Sequence, residues 1–228
     1  MPGRREALRV AGAALALSAS GCQRAVSELA RALDDRGMGA LPRITSRVAS
    51  PARVLLDRVA FGPRPGEVSQ VEALGVESWL DRQLDPASID DASCELRCAA
   101  VDLTHVPDDL VFELRPEEIE RQLVALTLIR AAHSQRRVLE RMVHAWGDHF
   151  HIAIGKSLCQ HLLVVHERQA LRPHALGRFR DLLRAVLLSP AMLVYLDGRD
   201  NDAGPGHIAN ENHARELLEL HTLGADGG

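Results

Sequence analysis

Asn212, Glu216 and Glu219 recur at i, i+4 and i+7 in the string Asn210-Glu211-Asn212-His213-Ala214-Arg215-Glu216-Leu217-Leu218-Glu219-Leu220. On a helix that spacing puts three oxygen-bearing side chains on one face. Carboxylate and amide oxygens so arranged suit a hard divalent cation. A second dense stretch runs from Glu140 to His151, where His144, Asp148 and His151 repeat the same spacing and His149 falls beside Ala145 and Met142. Two imidazoles with a carboxylate between them could bind a divalent metal, or the carboxylate could orient one imidazole as a base.

Each pattern has a plainer alternative. Glu211, Arg215 and Glu219 step by four residues, which is ordinary helix-surface ion pairing worth about 0.2–0.5 kcal/mol per pair. The His144 series could be an exposed polar stripe, with Gly147 ending its helix early. His221 aligns with Ala214, Leu217 and Leu218, so it reads as a core histidine. Asp200, Asp202 and Glu211 match the first, third and twelfth positions of a calcium loop. Gly204 stands at the fifth, however, and Pro205 replaces the glycine needed at the sixth, so this is a polar surface turn.

The elements that must position these groups read as helices throughout. Pro51 opens a periodic segment carrying Val54, Leu55, Val59 and Phe61, which Gly62-Pro63-Arg64-Pro65-Gly66 stops. Short helices are expected over Glu67–Leu74 and Val76–Leu84. From Ala87 to Arg115 periodicity is poor, the signature of a loop or insertion. Pro116 suits the first turn of a long helix through His133. Ser134 is the expected cap of the next, which turns Val138, Leu139, Met142, Val143 and Trp146 inward. Further helices are expected from Leu158 to Leu171, Arg178 to Leu188 and Pro190 to Leu196, the last behind a Ser189 cap. A final one spans Ala209 to Leu223, with Gly224 as its C-cap. No strand alternation persists, so the expected fold is all-α, an irregular multi-helix domain without internal repeats.

The amino terminus reads as an address. Residues 1–21 combine a positive start, an apolar run from Val10 to Leu17 and small residues before Cys22, the parts of a secretory signal. Arg4-Arg5 resembles a twin-arginine export signal, and Ala19-Ser20-Gly21-Cys22 a lipoprotein cleavage box. Acylation of Cys22 would attach the mature protein to a membrane, giving a periplasmic or membrane-anchored place in the cell envelope. Residues 22–50, broken by Gly37, Gly39 and Pro42, read as a tether with one short helix, Val26 to Asp35. Cys94 and Cys98 could pair after export or remain two free thiols, and Cys159 reads as a small buried hydrophobe.

With 46% apolar residues the chain can fill a core, which excludes a disordered protein. Its net charge of −4 and 3% aromatic content leave neither a basic face nor stacking platforms, so a nucleic-acid role is not expected. Eleven histidines are the surplus, and Lys156 stands alone among arginines.

Several long strings carry a resemblance. Arg58-Val59-Ala60-Phe61-Gly62-Pro63-Arg64-Pro65-Gly66 is similar to the opening of the bacterial family called domain of unknown function 1800 (DUF1800). So are Trp79 to Leu84, Glu140-Arg141-Met142 with Trp146, His149 and Phe150, and Leu171 to Leu183. Pro190 to Asp197 and Asn210 to Leu220 complete a match over residues 50–228. The resemblance implies an exported, mainly helical bacterial protein and brings no established activity, substrate or cofactor. Many relatives carry His at the place of Gly147, so one potential ligand is absent here, and some carry Phe at the place of His221, which supports its core role. The family pattern also continues beyond Gly224, so residues 51–228 are expected to be the amino-terminal part of a larger helical domain, truncated at its C-terminus.

Two functions follow from this reading. One is a helical cell-envelope scaffold or binding protein whose carboxylates are paired with Arg215, Arg172 or Arg178. The alternative is a metal-dependent envelope hydrolase using His149, Asn212, Glu216 and Glu219 around a divalent metal.

Overall fold

Ser50 accepts the Arg53 amide at 3.3 Å and Pro51 fills the first turn, so α1 spans Pro51–Val59. The computed structural model containing it describes residues 49–202, 204, 211–224 and 226. The export signal, Cys22, most of the tether and its expected Val26–Asp35 helix lie outside the described residues. Helices α2 (Glu67–Leu74) and α3 (Val76–Leu84) fall on the expected bounds. Gly75 joins them at φ 91° and ψ 140°, a state glycine adopts at low cost, with its N–H on Val71 O (2.8 Å) and its carbonyl receiving the Trp79 amide (3.0 Å).

The stretch expected to be a loop, Ala87 to Arg115, instead carries α4 (Ala92–Ala99) and short 3₁₀ turns at Asp102–Thr104 and Val111–Glu113. Two turns of helix show only two buried side chains, Cys94 and Cys98, too few to register as a period. Both thiols are free.

Helix α5 covers Pro116–His133 as expected and α6 covers Arg137–His149. Ser134 does not cap α6; Arg136 is the flanking residue. The Ser134 hydroxyl donates to Asp91 (2.7 Å) and accepts the Arg136 amide (3.1 Å), while the Gln135 amide donates to Asp91 (2.6 Å). The serine thus ties the α5–α6 turn to the start of α4. The Phe61–Gly66 string is bound to the same turn. Arg64 donates to Ser134 O at 2.8 Å, and Arg137 reaches Gly62 O at 2.5 Å and Glu67 at 3.2 Å.

The expected Leu158–Leu171 helix is broken. α7 ends at His166, a π turn follows over Glu167–Leu171, and a 3₁₀ turn covers Arg172–His174. Pro173 has no N–H and its ring crowds the carbonyl four residues back, so a regular α-helix cannot run through it. The Arg172 amide bonds Glu167 O instead.

α8 (Phe179–Leu187) and α9 (Pro190–Tyr195) follow, Ser189 accepting the Met192 amide at 3.3 Å as expected of a cap. α10 is shorter than expected, Asn212–Glu219, with Leu220 at its C-cap and Gly224 (φ 85°) lying beyond. The described residues form ten α-helices and no strand, so the fold is all-α. Three apolar clusters hold it together. Leu56, Val71 and Trp79 meet α6 at Val138; Cys94, Leu103 and Ile119 meet α7 at Val164; Phe150, Leu182 and Met192 centre the third.

Candidate functional site

The third cluster ends in an open cavity of about 370 Å³, lined by His149, His151, Lys156, Tyr195, Leu196, Asn212, Glu216, Leu220 and His221. Trp146 fixes one wall. Its indole N–H donates to Ala175 O at 2.9 Å, and its ring lies 5.9 Å from Phe150 and 5.8 Å from Phe179. His149 stands one turn on, its ring edge-to-face with Phe150 at 4.6 Å and its Nε2 3.2 Å from His221 O. That contact links the end of α6 to the segment after α10. His221 is buried, as expected of a core residue, with Nδ1 left without a partner. Burial, reinforced by the neighbouring His149 and opposed by Glu216, holds its pKa below the ordinary imidazole value.

The opposite wall is built around the lone lysine. Lys156 Nζ donates to Tyr195 O and to Asp197 Oδ2 (3.1 Å), and lies 5.4 Å from the Tyr195 ring centroid. Ser157 (φ 51°) and Asp197 (φ 57°) are the non-glycine residues in left-handed backbone among those described. Ser157 adjoins Lys156 and Asp197 is the pair's own carboxylate, a strain that persists only where surrounding contacts enforce it. Gly198 follows because a Cβ there would come within 2.8 Å of His213 Nδ1.

The structure brings His149, Asn212 and Glu216 to this one cavity and leaves Glu219 exposed on α10 outside it. Asn212 accepts from Arg215 at 3.1 Å, and the same guanidinium lies 4.0 Å from Glu216. Among the described residues no group of three or more His, Cys, Asp or Glu stands close enough to hold a metal ion. The expected His144, Asp148 and His151 face does not form. His144 and Asp148 pair at 3.3 Å, but α6 ends at His149, so His151 leaves the helix and lines the cavity instead. The Asp200 turn is described in part, with Asp202 accepting the Gly204 amide at 2.9 Å.

Spacing did not disclose Lys156, Tyr195 or Asp197. The signal available for the first was its being the one lysine of the chain. Nor did spacing disclose the half-buried ion network behind α6, in which Glu140 is the buried member. There Arg172 holds both oxygens of Glu140 (2.7 and 3.0 Å) and one of Glu167 (3.0 Å), which also accepts from Arg130 (2.7 Å). Burial alone would disfavour each charge. Arg130 and Arg172 nonetheless hold Glu167 below the usual carboxylate range, and Glu140 with Glu167 makes Arg172 more basic than usual. Arg178 takes no part in the network.

The molecule is thus an all-helical domain in which the motif charges split between an internal ion network and a polar cavity. Residues 54–228 match the family described as "Protein of unknown function (DUF1800)", and the chain belongs to that family. No curated protein and no solved structure matches it.

Proposed function

We propose that the protein is an exported, lipid-anchored binding protein of the bacterial cell envelope, and that the cavity between α6, α9 and α10 receives its ligand. One observation carries this reading: a single cavity of about 370 Å³ gathers three histidines, the lone lysine, Asn212 and Glu216 from distant parts of the chain. A small concave site with a few convergent polar groups is the usual form of a ligand pocket. Lys156 is balanced by Asp197, and Arg215 stands near Glu216. The lining therefore offers donors and acceptors with little net charge, which suits a small polar molecule. Arg4-Arg5 and the box before Cys22 support the envelope address.

Metal-dependent hydrolysis is the second reading, supported by His149, Asn212 and Glu216 sharing that cavity. It requires His149 or His221 to turn toward Glu216, and Glu219 stands outside. Native mass spectrometry of the exported protein beside Glu216→Ala separates the two. An organic mass retained by the wild type and lost in the variant supports the binding protein. A retained divalent metal lost in the same variant supports the hydrolase. Identical bare masses for both proteins remove this cavity as the site.

A further inference from the structure

We propose that a second cavity, walled by α5, α6 and α7, binds a small monocarboxylate with an apolar body, the carboxylate on Arg130 and the body on the side chains facing Gly147. This cavity holds about 280 Å³ and shares no lining residue with the His149 site. Its walls are Leu123, Val143, Leu163 and Leu171, with Phe61 at the rim.

Gly147 is the first argument. It sits inside α6, where glycine costs about 1 kcal/mol relative to alanine. Its backbone does not need glycine's conformational freedom, because its φ is not among the positive ones. Close packing does not require it either. A Cβ there would meet only Leu171 Cδ1, at an ordinary 3.8 Å. What the missing side chain does is leave the cavity open.

The polar floor supplies the second argument. Both oxygens of Glu140 are taken by Arg172, and Glu167 is shared between Arg172 and Arg130. Arg130 lines the cavity and spends one of its five N–H groups, Nη1, on Glu167. His166, 3% exposed, also lines it. The Ser189 oxygen lies 2.8 Å from its Nδ1 and already accepts the Met192 amide, so the hydroxyl proton is free to point at that nitrogen. In that tautomer His166 Nε2 carries the proton, and this buried atom has no partner. Unspent donors on the floor, four N–H groups of Arg130 and Nε2 of His166, thus face one remaining carboxylate oxygen, Glu167 Oε2, while Asp148 lines the exposed side and pairs with His144. Donors in a fixed fork beside apolar walls select a carboxylate over an amine or a neutral amide.

Benzoate and benzamide are the probes, titrated calorimetrically at neutral pH into the full processed chain. Benzoate should bind saturably with a dissociation constant of about 1 mM or tighter, and benzamide at least about tenfold more weakly. Gly147→Leu should abolish benzoate binding by filling the cavity while melting no lower than the wild type, since leucine is the better helix former. Arg130→Gln should weaken benzoate at least about tenfold with its apolar contacts retained. No saturable benzoate binding overturns the proposal, as does benzoate binding that survives in Gly147→Leu. Equal affinity for benzoate and benzamide also overturns it, because the arginine would then select nothing. Should Arg130→Gln fail to fold, Gly147→Leu and the benzamide comparison decide.

Discussion

Arg172 serves two carboxylates at once, one of them Glu140, whose side chain is 8% exposed. Replacing the guanidinium with an apolar group leaves buried Glu140 without its cation and half-buried Glu167 with Arg130 alone. Removing one partner of a buried pair costs about 3–5 kcal/mol. Arg172→Met is expected to lose that much in urea unfolding, and Arg172→Lys part of it, because an ammonium cannot hold both Glu140 oxygens in the same fork. His166 sets a pH window of its own. Burial, opposed by the neighbouring Glu167 charge, lowers its pKa to about 4 from 6.5. The unfolded chain therefore binds the extra proton first as pH falls. Stability is full above about pH 6.5 and declines down to about pH 4, by roughly 3 kcal/mol from this residue. His166→Asn, whose amide can keep the Ser189 bond, should flatten the stability profile across that window; an unchanged slope refutes the assignment. None of this was legible from spacing, since Glu140 and Arg172 lie 32 residues apart. Asn212 and Glu216 were legible, being one turn apart. Glu219, which the same rule groups with them, lies outside the cavity. Seven residues return to nearly the same face but lie roughly 10 Å further along the axis, beyond the cavity.

At the scale of elements, the joint between α4 and the α5–α6 turn rests on Asp91, buried and accepting from both Ser134 and Gln135. Asp91→Ala strands a buried hydroxyl and a backbone amide together. It should cost about 2–4 kcal/mol, at 1–3 kcal/mol per orphaned group less some relief by water. Asp91→Asn keeps one acceptor oxygen and should lose about half as much. Hydrogen exchange would place the loss, with Gln135 and the first turn of α4 losing protection while the α8–α9 amides keep theirs. A uniform loss would mean that the joint is not local. Helices with strong boundary residues were readable from the chain. Pro116 and the Ser189-Pro190 pair each mark a start by removing a donor or capping an amide, and Gly66, which closes the Phe61 segment, opens the next helix at φ 78°. The π turn was not readable, because its cause, Pro173, lies beyond it and the apolar period carries on through Leu171. α4 stayed hidden for the opposite reason. Its contacts are supplied by the 3₁₀ turns and by α5, none of which shows in eight residues of local pattern.

For the molecule as a whole, its thiols bear on how it would reach the envelope. Cys94, Cys98 and Cys159 are buried and free, the first two in one apolar cluster. A helical i, i+4 pair is poorly placed for a disulfide, whose Cβ atoms must approach to about 3.8 Å at a dihedral near 90°. An unfolded chain entering an oxidising compartment has no such restraint and can join any two of these sulfurs. Folding before export, as the twin-arginine route provides, buries all three first. Lipid on Cys22 is the attachment proposed above; among the described residues no helix is long and apolar enough to cross a membrane. On that proposal, Cys22→Ser should move the exported protein from the membrane to the soluble envelope fraction without changing its melting temperature. Arg4→Lys with Arg5→Lys should hold it in the cytoplasm. The sharper test exchanges residues 1–21 for a signal of the route that exports unfolded chains. Maleimide labelling under denaturing conditions should count three free core thiols in the native-route protein and fewer in the rerouted one, whose folded yield should fall. Cys94→Ala with Cys98→Ala should recover part of that yield. Equal yields with three free thiols by both routes would show that these cysteines do not depend on the order of folding and export.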